Sequence, residues 1–137
     1  MPVSLNEAMK SPCKVTPDAT NSVGRPYPYM IYRNIEELRI SASWKTLKVG
    51  DTASDMKEGV HAGVWSVGVI VGSSEMGLSL EEYTSLSEWD KENVISETAH
   101  SFMQNGADFT IKTMKELPEL IDRINDLIAD GKRPSSR

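Results

Sequence analysis

Two aspartates near the middle of the chain, Asp51 and Asp55, have the spacing of a small cation site. Asp51 follows a strand-like run that ends at Gly50, and the first turn of a following helix would bring both carboxylates to one side. Carboxylate oxygens at a strand end suit a hard cation such as Mg²⁺, whose coordination is completed by water and substrate phosphate. The alternative is that Asp51 caps the helix and Asp55 only favours its positive N-terminus.

Arg25 is the second candidate for chemistry. It stands in the string Gly-Arg-Pro-Tyr-Pro (24–28), where each proline fixes its own φ and restricts the residue before it. A guanidinium held in such a loop can neutralise a phosphoryl group and a carboxylate without reorganisation. The alternative is a surface turn with an exposed arginine.

The elements that must position these residues alternate between strands and helices. Predicted strands span about 13–15, 46–49, 64–71 and 108–111, and predicted helices span about 28–39, 53–62, 80–85, 88–104 and 117–130. This alternation predicts a three-layer, Rossmann-like α/β sandwich with a mainly parallel sheet. Ligands of such sheets bind beyond the carboxyl ends of the strands, so we expect the site in the loops after Val15, Val49 and Val71.

The composition excludes several classes of protein. The chain has 137 residues, enough for one domain, and its formal net charge of −5 lacks the basic excess that nucleic-acid binding requires. The most apolar run, residues 64–71, is far shorter than the about 20 residues of a membrane span. Residues 1–12 contain no signal-peptide core. A single cysteine, Cys13, fits a reducing compartment, so we expect a cytoplasmic protein without nucleic-acid or membrane partners.

Five strings of the sequence carry a family likeness that runs from about residue 15 to residue 132. They are Val-Thr-Pro-Asp (15–18), Gly-Arg-Pro-Tyr-Pro (24–28), Lys-Val-Gly-Asp-Thr-Ala-Ser-Asp-Met (48–56), Val-Ile-Val-Gly-Ser-Ser-Glu-Met-Gly-Leu (69–78) and Asn-Gly-Ala-Asp-Phe-Thr-Ile (105–111). Together they resemble the phosphonoacetaldehyde hydrolase (phosphonatase) family of the haloacid dehalogenase superfamily. Gly-Asp-x-x-x-Asp is general to that superfamily, whereas the strings at 24–28 and 72–78 are specific to the family.

The resemblance implies hydrolysis of the carbon–phosphorus bond of phosphonoacetaldehyde to acetaldehyde and phosphate. In the family a lysine forms a Schiff base with the aldehyde, and an aspartate takes the phosphoryl group with the help of Mg²⁺. Matched by position, Asp51 would be a Mg²⁺ ligand and Asp55 would orient water around the metal. Arg25 would bind the phosphoryl group and the nucleophile.

The chain also departs from the family pattern. The motif Asp-x-Ala-Gly-Thr-Thr, which carries the nucleophile, is absent from the sequence, as are the helical cap with its Schiff-base lysine and the Ser/Thr phosphate motif. We therefore expect a catalytically incomplete relative that binds Mg²⁺ weakly and whose partner is a phosphorylated small molecule. The alternatives are half of a split hydrolase completed in trans and a non-catalytic interaction protein.

The same departure predicts the domain organisation. Residues 1–14 match nothing, residues 15–131 form a partial hydrolase core without the first-motif strand and the cap domain, and residues 132–137 form a disordered tail. Without its central neighbours the strand at Val49 becomes a sheet edge, which favours self-association. We expect residues 46–130 to form a three-stranded unit to which residues 1–25 attach loosely.

Overall fold

Three parallel strands and the helices between them form the architecture. A computed structural model describes residues 27–134. In chain order the elements are α1 (Tyr29–Glu37), a 3₁₀ turn (Ser43–Lys45), β1 (Leu47–Gly50), α2 (Ala53–Ala62), β2 (Trp65–Val69), α3 (Leu80–Thr84), α4 (Glu88–Gln104), β3 (Phe109–Ile111), a second 3₁₀ turn (Met114–Glu116) and α5 (Leu117–Ala129).

The sheet has the strand order β1-β2-β3, and all of its pairs are parallel. Val67 of the central strand lies opposite Val49 on one side and opposite Phe109 on the other. Every parallel connection contains a helix, as crossovers between parallel strands require. The expected α/β fold with a parallel sheet is therefore confirmed, and β1 is an edge strand of the sheet that the described residues form.

One face of the sheet is covered by α5. Its apolar residues recur at helical spacing, and Leu117, Ile121 and Ile124 pack on Trp65 and Val67 of the central strand. Alternate residues of a strand point to opposite faces, so this face of the sheet carries the odd-numbered residues of the strands. The helix predicted at about 117–130 is confirmed, and its buried residues lie on one face.

The opposite face of the sheet is covered by α2 and α4. Met56, Ile70 and Phe102 form a second buried cluster there. Gly68 of the central strand lies directly beneath the Phe102 ring, and a Cβ atom at this position would come within 2.5 Å of the ring. Because helices cover both faces, the described part of the chain has the three layers that the sequence predicts.

The helix α1 extends the layer that contains α2. Ile31 packs with Ala62 and Val64 in a third buried cluster, and the Tyr32 hydroxyl donates a hydrogen bond to the backbone oxygen of His61 at 3.0 Å. These contacts place the end of the 24–28 string beside α2. Its first three residues, including Arg25, lie outside the described residues.

Side-chain caps fix the starts of the two helices that follow β2. Ser79 accepts from the Glu82 amide while Glu82 caps the Ser79 amide in return, and Ser87 accepts from the Asp90 amide. Both serines therefore cap the helices that the sequence predicts at 80–85 and 88–104. The predicted strand bounds at 46–49, 64–71 and 108–111 are each wrong by one or two residues, because strand ends depend on pairing partners.

The segment after α5 contacts the start of the sheet. The Arg133 guanidinium lies 3.6 Å from the centroid of the Trp44 ring, and the Lys45 ammonium lies 5.2 Å from it. Residues 135–137 of the predicted tail lie outside the described residues, as do the predicted strand at 13–15 and Cys13. Between residues 27 and 134, no helix is long and apolar enough to cross a bilayer.

Replacement of Gly68 tests the close packing of α4 on the sheet. We expect Gly68→Ala to lower the free energy of unfolding by about 1–3 kcal/mol, because the new methyl group overlaps the Phe102 ring. Urea unfolding of the full chain measures the change. The loss should be smaller when Gly68→Ala is made in a Phe102→Leu background, and equal losses in both backgrounds would contradict the proposed overlap.

Candidate functional site

Asp51 lies at the carboxyl end of β1, where its side chain is exposed. Its Oδ2 atom accepts long hydrogen bonds from Ser74, at 3.4 Å from the amide nitrogen and 3.3 Å from the hydroxyl. Ser74 belongs to the loop after β2, so the loops after the first two described strands meet at Asp51. The sequence predicts this meeting of the loops after Val49 and Val71. The loop after Val15 lies outside the described residues.

Asp55 is buried beneath this loop, with a side chain only 2% exposed. Its Oδ2 atom accepts hydrogen bonds from the amides of Asp51 and Thr52, at 3.0 and 3.1 Å, and from the Thr52 hydroxyl at 3.0 Å. Thr52, rather than Asp51, is the N-cap of α2, and Asp55 completes the capping box. The alternative in which Asp51 caps the helix is therefore wrong, and the Asp51 carboxylate remains at the surface.

Gly50 makes room for the Asp55 carboxylate. A Cβ atom at residue 50 would lie 2.3 Å from Asp55 Cβ and 2.6 Å from its Oδ2 atom. A side chain at residue 50 would therefore force Asp55 or the strand to shift, and glycine lets the strand pass this close to the aspartate. The Gly-Asp-x-x-x-Asp pattern thus follows from one contact: the second aspartate fills the space that the glycine leaves.

A lysine and a second buried acid lie next to Asp55. Lys48 Nζ is 3.6 Å from Asp55 Oδ1 and 3.1 Å from Glu58 Oε1, and the Glu58 side chain is only 1% exposed. Lys48 and Gly50 point to the same face of the sheet because they are two residues apart on β1. The pairing of Lys48 with these two acids is not among the predictions from the sequence. The alternation of β1 and the three-residue spacing of Asp55 and Glu58 could have indicated it.

Glu75 ties the second loop to the first. Its Oε1 atom accepts from the Ala53 amide at 2.8 Å, its Oε2 atom accepts from the Ser101 hydroxyl at 2.8 Å, and its own amide donates to the Asp51 backbone oxygen at 3.1 Å. The string at 72–78 carries part of the family resemblance in the sequence, but its part in holding Asp51 is seen only in the structure. Gly72 and Gly77, both at positive φ, flank this loop with open space around them.

The donor set at the carboxyl end of the sheet fits a hard cation. The exposed Asp51 carboxylate and the Ser74 hydroxyl are oxygen donors, and Mg²⁺ is held by one or two carboxylates with water and phosphate completing its shell. The Asp55 oxygens contact amides, a hydroxyl and Lys48. None of these contacts shows water around a metal, and the orientation of such water by Asp55 stays a prediction. Between residues 27 and 134, no group of three or more His, Cys, Asp or Glu side chains could hold a metal.

Substitution of the two aspartates separates their roles. We expect Asp55→Asn to lower the free energy of unfolding by about 2–4 kcal/mol, because it removes a buried charge that accepts hydrogen bonds and pairs with Lys48. Asp51→Asn is the matched control, and it should change this free energy by no more than about 0.5 kcal/mol. Urea unfolding measures both, and equal effects at the two positions would contradict the structure.

Several curated proteins with a similar sequence carry the same name. A phosphonoacetaldehyde hydrolase from Lysinibacillus sphaericus is 52% identical over 116 residues, which are 85% of this chain and 43% of that protein. A phosphonoacetaldehyde hydrolase from Bacillus thuringiensis is 49% identical over 110 residues, which are 80% of this chain and 41% of that protein. The chain therefore spans about two fifths of the length of the curated relatives that it matches. No family model matches the chain.

Two solved structures of hydrolases have a fold similar to that of this chain. A phosphonoacetaldehyde hydrolase-like protein from Oleispira antarctica is 32% identical and superposes with a TM-score of 0.79, covering 85% of this chain and 42% of that one. A haloacid dehalogenase family hydrolase from Deinococcus radiodurans shares the fold with a TM-score of 0.57 at 16% identity, over 80% of this chain and 39% of that one. The chain is thus related to the phosphonoacetaldehyde hydrolases over about two fifths of their length, and it has part of the haloacid dehalogenase fold.

Proposed function

We propose that this chain carries the cation-binding and phosphate-facing part of a phosphonoacetaldehyde hydrolase core and does not break the carbon–phosphorus bond by itself. The observation that carries the proposal is the Asp51 carboxylate, exposed at the end of β1 and contacted by Ser74, while the Asp51 backbone amide donates a hydrogen bond to Asp55. The relatives support the same assignment through their shared name and their identity of about one half.

In the reaction of the whole hydrolase, the carbon–phosphorus bond breaks, water supplies an oxygen to phosphorus, and the carbon takes up a proton to give acetaldehyde. Asp51 would hold Mg²⁺, which neutralises the charge of the phosphoryl group when bound. Asp55 keeps the Asp51 backbone in place, and Ser74 orients its carboxylate. Arg25, in the loop at 24–28, would contact the phosphoryl group. Its guanidinium would neutralise negative charge that water would otherwise have to solvate.

The nucleophilic aspartate and the Schiff-base lysine would come from outside this chain. The chain spans about two fifths of its relatives, and the motif that carries the nucleophile is absent from its sequence. The second candidate function is therefore half of a split hydrolase completed in trans. The edge position of β1 favours it, because the outer backbone groups of Leu47–Gly50 pair with no other described strand. The same edge would serve the self-association that the sequence predicts.

Binding of Mg²⁺ tests the proposed cation site directly. Titration of the ¹⁵N-labelled full chain should shift the amide resonances of Asp51, Thr52 and Ser74, with saturation only above about 1 mM because one carboxylate holds the ion weakly. Asp51→Asn should abolish these shifts. Asp122→Asn, at an exposed aspartate on α5, is the matched control and should leave them unchanged. Absence of any shift in the unmodified chain would contradict the cation site.

Acetaldehyde release from phosphonoacetaldehyde tests the activity. We expect no release by the 137-residue chain with Mg²⁺, and release by this chain alone would contradict the proposal. Addition of the remaining part of the Lysinibacillus sphaericus hydrolase, expressed as a separate polypeptide, distinguishes the two candidates. Release that appears only with the added part and falls at least about 100-fold in Asp51→Asn supports completion in trans. No release in the mixture supports the incomplete relative.

A further inference from the structure

We infer that Lys48, shared between the buried carboxylates of Asp55 and Glu58, is a positioning residue for Asp51. The inference rests on the function proposed for Asp51, because it assigns to Lys48 the task of keeping that residue in place. Neither Lys48 nor Glu58 is part of the cation site itself. Their effect would reach Asp51 through Asp55.

The ion pairs of Lys48 carry the inference. Its side chain leaves β1 on the face covered by α2, where its ammonium lies 3.1 Å from Glu58 and 3.6 Å from Asp55. Both carboxylates come from α2, three residues apart, and are 1% and 2% exposed, whereas the Lys48 side chain is 26% exposed. A buried carboxylate is costly unless a charge or hydrogen bonds compensate it, so the position of this ammonium controls both acids.

Glu58 depends on Lys48 more than Asp55 does. Among the described residues, Glu58 Oε1 is buried and has no hydrogen-bond partner, so the nearby ammonium compensates it by charge alone. Asp55 has three hydrogen bonds at its other oxygen. The Lys48 ammonium lies nearer to Glu58, the acid with fewer hydrogen bonds. The position of Glu58 therefore determines how far the ammonium lies from Asp55.

Lys48 lies near Asp55 Oδ1, and the other carboxylate oxygen of Asp55, Oδ2, contacts Asp51. That oxygen accepts the Asp51 and Thr52 amides, so movement of the carboxylate changes the backbone from which the Asp51 side chain projects. Removal of the Lys48 charge would leave two buried acids on one helix face with like charge. Their repulsion is relieved if Asp55 turns away from Glu58 and releases the two amides.

Hydrogen exchange of the Asp51 and Thr52 amides tests the inference without any metal. We expect Lys48→Met to speed exchange of both amides at least about 10-fold while the Val67 amide, in the central strand, keeps its protection. Lys48→Arg should restore protection because it keeps the charge. Lys57→Met, at an exposed lysine on α2, is the matched control and should change neither amide.

A second variant keeps the test valid if Lys48→Met fails to fold. Lys48→Met with Glu58→Gln removes one acid together with the cation, so the chain should fold and its two amides should exchange more slowly than in Lys48→Met. If only the double variant folds, its two amides should still exchange faster than in the unmodified chain, because Asp55 lacks its cation. Normal protection of both amides in folded Lys48→Met, or in the folded double variant, would overturn the inference.

The Mg²⁺ titration separates this inference from the proposed function. In Lys48→Met the concentration that half-saturates the Asp51 shift should rise at least about 3-fold relative to the unmodified chain. If the unmodified chain shows no Mg²⁺ response while Lys48→Met loses amide protection, the cation site is refuted and the control of the Asp51 backbone by Lys48 is supported. If Mg²⁺ binds both proteins equally, the positioning role is overturned and the cation site is supported.

Discussion

The contact of the Asp55 carboxylate with the backbone at Asp51 and Thr52 determines the geometry of the site. It joins the end of β1 to the start of α2, and it is possible because Gly50 carries no side chain. The carboxylate lies at the N-terminus of a helix, where free amides and the helix dipole favour a negative charge. The result is a strand-to-helix turn whose inner acid is buried and whose outer acid, Asp51, remains available to a ligand.

The two helices on one face of the sheet, α2 and α4, hold this turn in place. Gly59 lies so close to Ser66 that a Cβ atom would be 2.0 Å from the serine oxygen, and a Cβ atom at Gly68 would be 2.5 Å from the Phe102 ring. Small residues therefore let α2 and α4 approach the sheet directly. Glu75 then joins α2, α4 and the Asp51 backbone through its hydrogen bonds, so the exposed site is connected to the packed core by polar contacts as well as by covalent structure.

The sequence predicts most of this fold, because periodicity and caps are local signals. The five helices between residues 27 and 134 lie where those signals place them, and the meeting of two loops at Asp51 follows from the strand order of parallel sheets. The side-chain partners of Asp51 could not be predicted in the same way. Ser74 and Glu75 approach it from more than twenty residues away, and the depth at which Glu58 is buried depends on the packing of α2.

The two loops at the site differ in how they can respond to a ligand. The Gly50–Thr52 turn is fixed by hydrogen bonds to the buried Asp55. The loop that carries Ser74 is tied in its middle by Glu75, but it begins and ends at glycines where an added Cβ atom would meet nothing within 4 Å. Accommodation of ligands of different size would therefore fall to the 72–77 loop, with Asp51 as the stationary reference. Because Ser74 of this loop also contacts the Asp51 carboxylate, a change in the loop would alter ligand fit and cation binding together, so the two properties would be coupled in evolution.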